Sequence, residues 1–258
     1  MDKAHALDSF WEYVGAYDQE NPRIALKVDH TLRVADLCER IARDEGMPAC
    51  DVDLAWLLGL LHDIGRFEQV RLYDTFTDAA SVSHARLGAS VLFEHANVTG
   101  GPLVRRFLRD RAHDDLVRLA IATHSDYRLP AGLDERTRSL CDVLRDADKI
   151  DIIHANCICP VEDIYGVSEG MMRASKLSDE CVEIFYQHRC LPRGVRRHPA
   201  DILLGHICFA WELVYPRSLA IVREQGHLAD MLSRTWDLPQ TQEGFDRMAD
   251  HMRSELGV

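Results

Sequence analysis

The chain has 258 residues, 47% of them hydrophobic and 28% charged, and its 30 Lys and Arg against 42 Asp and Glu leave a net charge of −12. This is the composition of an ordinary soluble globular protein with enough chain to bury a core, and it excludes a largely disordered polypeptide. The acidic balance argues against a general nucleic-acid or membrane-surface binder, because a phosphate backbone would be repelled at long range.

Apolar residues recur at i, i+3, i+4 and i+7 nearly throughout, which predicts an all-α chain. A first helix is expected over about residues 7–17. Asn21-Pro22 then supplies a cap and an N1 proline for a long helix that stops at Gly46. Asp51 opens the next, running through AWLLGLLHDIG, and a polar connection follows over 71–80. Ser81 or Ser83 starts a helix through His95, Gly100-Gly101-Pro102 restarts one to about residue 111, and Asp114 opens another reaching His124. A helix from about 134 carries to 153. Residues 157–178, with Pro160, Gly166 and Gly170, read as an irregular loop or lid. Helices resume over about 178–188 and 199–214, and shorter ones finish the chain. No run approaches the roughly 18 apolar residues of a membrane span. The N-terminus carries no apolar signal core, so the protein is expected to be cytoplasmic.

Several polar residues stand where these patterns call for apolar ones. In the second helix Leu26, His30, Val34, Leu37 and Ile41 form one stripe, so His30 faces inwards. His62 follows Leu58 by four and Asp63 follows Trp56 by seven. The two are neighbours about 100° apart on the helix, so they reach one point only if it lies between them at the helix end. His84 precedes Leu87, Gly88 and Val91 at helical spacing, His124 follows Val117 and Ala120, and Asp148 follows Cys141 and Leu144. A buried carboxylate is expensive unless it is paired or binds a cation. One metal centre accounts for all six residues together, and imidazole with carboxylate suits Fe, Mn, Zn, Co or Ni.

The order His30, His62-Asp63, Asp148 resembles the HD-domain superfamily, whose pattern is H…HD…D on an all-α scaffold. LLHDIGRFEQ is its most specific part, and SVSHARLGASVLFEH, AIATHSD and RDADKID resemble a subset of bacterial members. The resemblance covers about residues 22–155 as a metal-binding core. Residues 156–258 are expected to form a helical extension packed on it as a single structural unit. It implies a first metal held by His30, His62, Asp63 and Asp148, and a second held by Asp63, His84 and His124, with Asp63 bridging. One or two divalent transition-metal ions are therefore expected. The GYP signature of cyclic-di-GMP hydrolases is absent, Ile164-Tyr165-Gly166 being a near miss in the wrong place.

The implied function is a metal-dependent phosphohydrolase acting on a small phosphate ester, nucleotide or phosphodiester. The alternatives are a mixed-valent diiron oxygenase of the same fold and a non-catalytic metal or nucleotide sensor. Arg66, one turn past His62, is the first candidate for contacting phosphate, because guanidinium binds its oxygens bidentately. Lys149 is the next and Arg86 the weakest, while Asp126 is a candidate to orient a ligand. His95 reads as a core histidine, and His154, His206 and His227 as structural or surface residues outside the ligand order. The eight cysteines, with no CxxC pair, read as reduced structural thiols. The basic tract 189–198 reads as solvated charge, and Trp211, Tyr215 and Leu219 as core packing or a homodimer face. There is neither a phosphate-loop lysine motif nor a GxSxG elbow.

Overall fold

The computed structural model describes residues 1–94 and 101–258, and the expected core histidine His95 falls outside them. Every regular element among the described residues is a helix. Among those residues no helix is long and apolar enough to cross a membrane. The chain divides into two compact units, 1–147 and 148–258.

The first unit contains α1 (Lys3–Val14), α2 (Pro22–Asp44), α3 (Ala49–Leu61), α4 (Ile64–Tyr73), α5 (His84–Phe93) and α6 (Asp114–Thr123). It ends within α7 (Glu135–Ile158), which runs through the division. Asn21 caps α2 by accepting a hydrogen bond from the Arg23 N–H, with Pro22 at the first helical position. The helix α3 is buried on every side from Leu54 to Leu61, so it is the central rod on which its neighbours pack. The helix α2 lies along it at backbone contact: a Cβ on Gly59 would come within 2.6 Å of the Ala35 Cα. A second close crossing joins α4 to α5, where a Cβ on Gly65 would sit 2.4 Å from both the Gly88 nitrogen and the His84 carbonyl oxygen.

Two elements of this unit differ from the periodic pattern. The run AWLLGLLHDIG is not one helix. Asp63 leaves helical geometry (φ −102°, ψ 16°), and α4 starts afresh at Ile64. The chain after Gly101-Pro102 forms only a short 3₁₀ turn, Leu103–Arg106. There the Asp110 carboxylate accepts from the Ala112 N–H, a local bond that competes with helix continuation.

The second unit begins with the last turns of α7. It continues through α8 (Val161–Tyr165), α9 (Glu169–Arg173), α10 (Asp179–Tyr186), α11 (Pro199–Ile207), α12 (Pro216–Gln225), α13 (His227–Leu232) and α14 (Pro239–Leu256). The segment expected to be irregular is therefore partly helical. The helix α7 persists to Ile158, Pro160 prevents its extension, and two short helices follow around a left-handed Gly166 (φ +67°). Buried Asp201 organises the start of α11, accepting from the backbone N–H groups of Ser178, Arg197 and His198 and from the Ser178 hydroxyl at 2.8–3.0 Å.

The basic tract is not wholly solvated. The Arg196 guanidinium packs over Gly205 and donates to the Leu191 carbonyl at 2.6 Å. Trp211 lies in a 3₁₀ turn, Cys208–Glu212, which an extended Leu213 separates from α12. Trp211 stacks on His188 with ring centroids 4.0 Å apart.

Candidate metal centre

The break between α3 and α4 gives adjacent His62 and Asp63 a common target. The His62 Nδ1 lies 2.7 Å from the Gly59 carbonyl oxygen. A carbonyl can only accept, so Nδ1 carries the proton and Nε2 presents its lone pair. That Nε2 lies 3.1 Å from the Nε2 of His30, which α2 brings alongside. The Asp63 Oδ2 completes the group, 3.5 Å from His30 Nε2 and 3.6 Å from His62 Nε2.

The other carboxylate oxygen faces a second pair of histidines. His84 is the first residue of α5, set by the Ser83 cap, and His124 closes the C-terminal end of α6. Their Nε2 atoms are 3.1 Å apart and lie 3.5 and 3.8 Å from Asp63 Oδ1. Both rings are oriented from behind. His124 Nδ1 donates to the Ile121 carbonyl at 2.8 Å, and His84 Nδ1 donates to the Asp78 carboxylate at 2.8–2.9 Å. Outer bonds of this kind fix which nitrogen is left to bind a metal.

Two groups of three buried residues can thus each hold an ion, His30–His62–Asp63 and Asp63–His84–His124. Ligand atoms bonded to one ion at about 2.0–2.2 Å are spaced by roughly 3–3.5 Å, close to the separations seen here. Asp63 Oδ1 is buried and accepts no hydrogen bond, an expensive condition for a carboxylate oxygen that a cation would relieve. The residues therefore fit divalent metal.

Charge around the carboxylate is balanced without the ions. The Lys27 ammonium, one turn before His30, lies 2.7 Å from Asp63 Oδ2. Burial pushes the Asp63 carboxyl up, but Lys27, then His62, Arg66 and His84, outweigh it and hold the group well below the usual carboxylate range. Arg66 is not a surface residue. Its Nη1 donates to Gln69, to the Phe76 carbonyl and to Asp78 at 2.7–3.1 Å, and its Nε lies 3.5 Å from Asp63 Oδ1. It fastens the loop carrying Asp78, the carboxylate that orients His84.

Burial lowers the His84 pKa to about 4, against the opposing effect of the hydrogen bond it donates to Asp78, so the ring is neutral at pH 7. The unfolded chain takes up a proton near pH 6.5 that the folded, metal-free chain refuses until about pH 4. The resulting stabilisation is full above about 6.5 and drains away as pH falls towards 4, by about 3 kcal/mol in all. Urea midpoints of chelator-treated protein should therefore fall more steeply between pH 7 and 4.5 for wild type than for His84→Gln. Parallel curves would contradict the assignment.

Of the other expected residues, Lys149 is buried in the second unit and donates to the Glu212 carbonyl at 3.3 Å. Asp148 is half-buried on α7, and both triads of the first unit form without it. Arg86 and Asp126 pair with one another at 3.3 Å on an exposed edge. His206 is held by Asn156 and Tyr165, consistent with its structural reading. The sequence reading missed Lys27, Asp78 and Arg145. The last is buried and donates to the Thr123, His124 and Asp126 carbonyls, closing the end of α6 behind His124.

No curated protein and no solved structure matches the chain. The HD domain family matches residues 28–156, a span that takes in both histidine pairs and the carboxylate between them. On that match, and on an all-helical fold that gathers the motif's His30, His62 and Asp63 at one point, the chain belongs to the HD-domain family.

Proposed function

We propose that the protein is a metal-dependent phosphohydrolase of a small phosphate ester, nucleotide or phosphodiester, working with two divalent ions that share Asp63. The observation that carries this reading is the Asp63 carboxylate, with one histidine pair at each oxygen. His30, His62 and Asp63 would hold one ion, and Asp63, His84 and His124 the other. The family pattern adds Asp148 as a further ligand to the first, on the strength of the sequence. Ions held there would acidify a water towards neutrality and neutralise charge building on the phosphoryl oxygens.

The chain's own residues supply the rest. Ionised Asp63 contributes the shared negative charge, and His62, His84 and His124, each with Nδ1 engaged from behind, direct Nε2 inwards. Lys27 is the cation best disposed to meet an incoming phosphate. Arg66, with its Nη1 committed to protein acceptors, acts as a positioning residue for Asp63 and Asp78. Lys149 remains a candidate phosphate contact on the strength of the sequence alone.

The test is chelator-treated protein reloaded singly with Mn, Co, Ni, Fe or Zn and assayed on an aryl phosphate, an aryl phosphodiester and a nucleotide panel. Metal-dependent phosphate or phenol release is expected, and it should vanish in His62→Ala. A fully loaded protein inert on the whole panel would overturn the reading. So would oxygen uptake with a mixed-valent iron signal, which belongs to the oxygenase alternative.

A further inference from the structure

Outside the histidine–aspartate centre, the second unit carries another group of metal-ligating side chains, and this one includes sulfur. The helix α7 presents His154 and Cys157 three residues apart on one face, and α13 presents His227 and Asp230 with the same spacing. Gly226, in the left-handed region at φ +74°, makes the turn that starts α13 with His227 directed at α7. One ligand atom each from Cys157, His227 and Asp230 lies within 4.8 Å of the others.

The hydrogen bonding of His227 says which nitrogen is offered. Its Nε2 lies 2.8 Å from His154 Nδ1, with ring centroids 4.7 Å apart. Its Nδ1 is buried, makes no hydrogen bond, and stands 3.7 Å from Asp230 Oδ2. That is too long for a hydrogen bond but near the spacing of two ligands on one ion with bonds of about 2.0–2.2 Å. The Cys157 Sγ is also close, its thiol donating to the His227 carbonyl at 3.3 Å. The arrangement repeats the logic of the first centre, in which one ring nitrogen is engaged from behind and the other is turned inwards.

We propose that Cys157, His227 and Asp230 form a mononuclear zinc site, with His154 as the outer residue that fixes the His227 tautomer. A thiolate, an imidazole and a carboxylate make a ligand set for Zn²⁺, with a fourth position left for water. Cys157 and Asp230 are exposed, so the ion would enter and leave from solvent. On coordination the Cys157 thiol gives up its proton to water. The site lies wholly within residues 148–258, so it is separable from the phosphohydrolase centre, which contains no sulfur ligand.

Cobalt(II) reports on this site alone, because only a thiolate ligand gives the near-ultraviolet sulfur-to-cobalt charge-transfer band. Chelator-treated full-length protein, kept reduced, is titrated with Co²⁺ and then with Zn²⁺. The band should appear, bleach as zinc displaces cobalt, and be absent in Cys157→Ser, whose far-ultraviolet circular dichroism should match wild type because the position is exposed. His154→Ala should keep the band but weaken zinc affinity about 10–100-fold, the usual cost of losing an outer-shell partner. No band in the wild type with cobalt in excess, or an undiminished band in Cys157→Ser, overturns the proposal.

Discussion

On the proposed function, Asp63→Asn should abolish metal-dependent turnover, lowering kcat by about three orders of magnitude or more while leaving the helical fold in place. The asparagine keeps the shape of the side chain and removes the charge that both histidine pairs face. Without it, each candidate triad has two neutral imidazoles and an amide oxygen, a much weaker set for a divalent ion. Catalysis that depends on two ions held about one carboxylate fails when either leaves, so the effect on rate exceeds that of losing a single hydrogen bond. Metal-free stability also falls, by about 1–3 kcal/mol, because the Lys27 ammonium loses its buried counter-charge. Metal content by mass spectrometry and kcat at saturating metal check the result. A variant retaining two ions per chain and near-normal kcat would contradict it.

The second large effect belongs to a residue that supplies no ligand atom. Gly65→Ala should destabilise the protein by about 3 kcal/mol and cripple the centre. The added Cβ would lie 2.4 Å from the Gly88 nitrogen, 2.4 Å from the His84 carbonyl oxygen and 2.8 Å from the Gly88 Cα. All three are backbone atoms, so no rotamer change relieves the clash and α4 must move away from α5. Gly65 follows Asp63 by two residues, and one of the clashing atoms is the carbonyl of His84 itself. The same displacement therefore widens the 3.5 Å gap between Asp63 and His84. Gly88→Ala is the control. Its Cβ meets the Gly65 nitrogen at 3.3 Å and the Ile121 Cγ2 at 3.4 Å, contacts that can yield by a few tenths of an ångström. Urea unfolding and metal binding should rank wild type above Gly88→Ala and Gly88→Ala well above Gly65→Ala. Equal stability of all three would show that the helix crossing does not set the site.

The candidate metal ligands were legible because each stands at a position where the helical pattern calls for an apolar residue. His30 sits between Leu26 and Val34 at steps of four, and periodicity alone turns it inwards. The need for His62 and Asp63 to meet at a helix end follows from their 100° offset, and the chain meets it by breaking between α3 and α4. The break itself was hidden, since the apolar pattern continues unbroken into Ile64.

Lys27 and Arg145 were missed for a related reason. Long basic side chains with apolar stems scan as surface residues wherever their heads end up. Asp78 lies in a polar connection that has no period to violate, and only the fold brings it to His84 Nδ1. The Gly65 crossing and the Cys157–His227 contact, 70 residues apart in sequence, are tertiary facts with no local signature. Local pattern shows that a residue is buried; which partner it meets depends on where helices cross.

The most direct test is anomalous diffraction from crystals of the full chain loaded with Mn²⁺ or Co²⁺. Two peaks are expected, one beside Asp63 Oδ2 with His30 and His62, the other beside Asp63 Oδ1 with His84 and His124. A lone ion touching one histidine pair, or peaks that avoid Asp63 altogether, would contradict that arrangement.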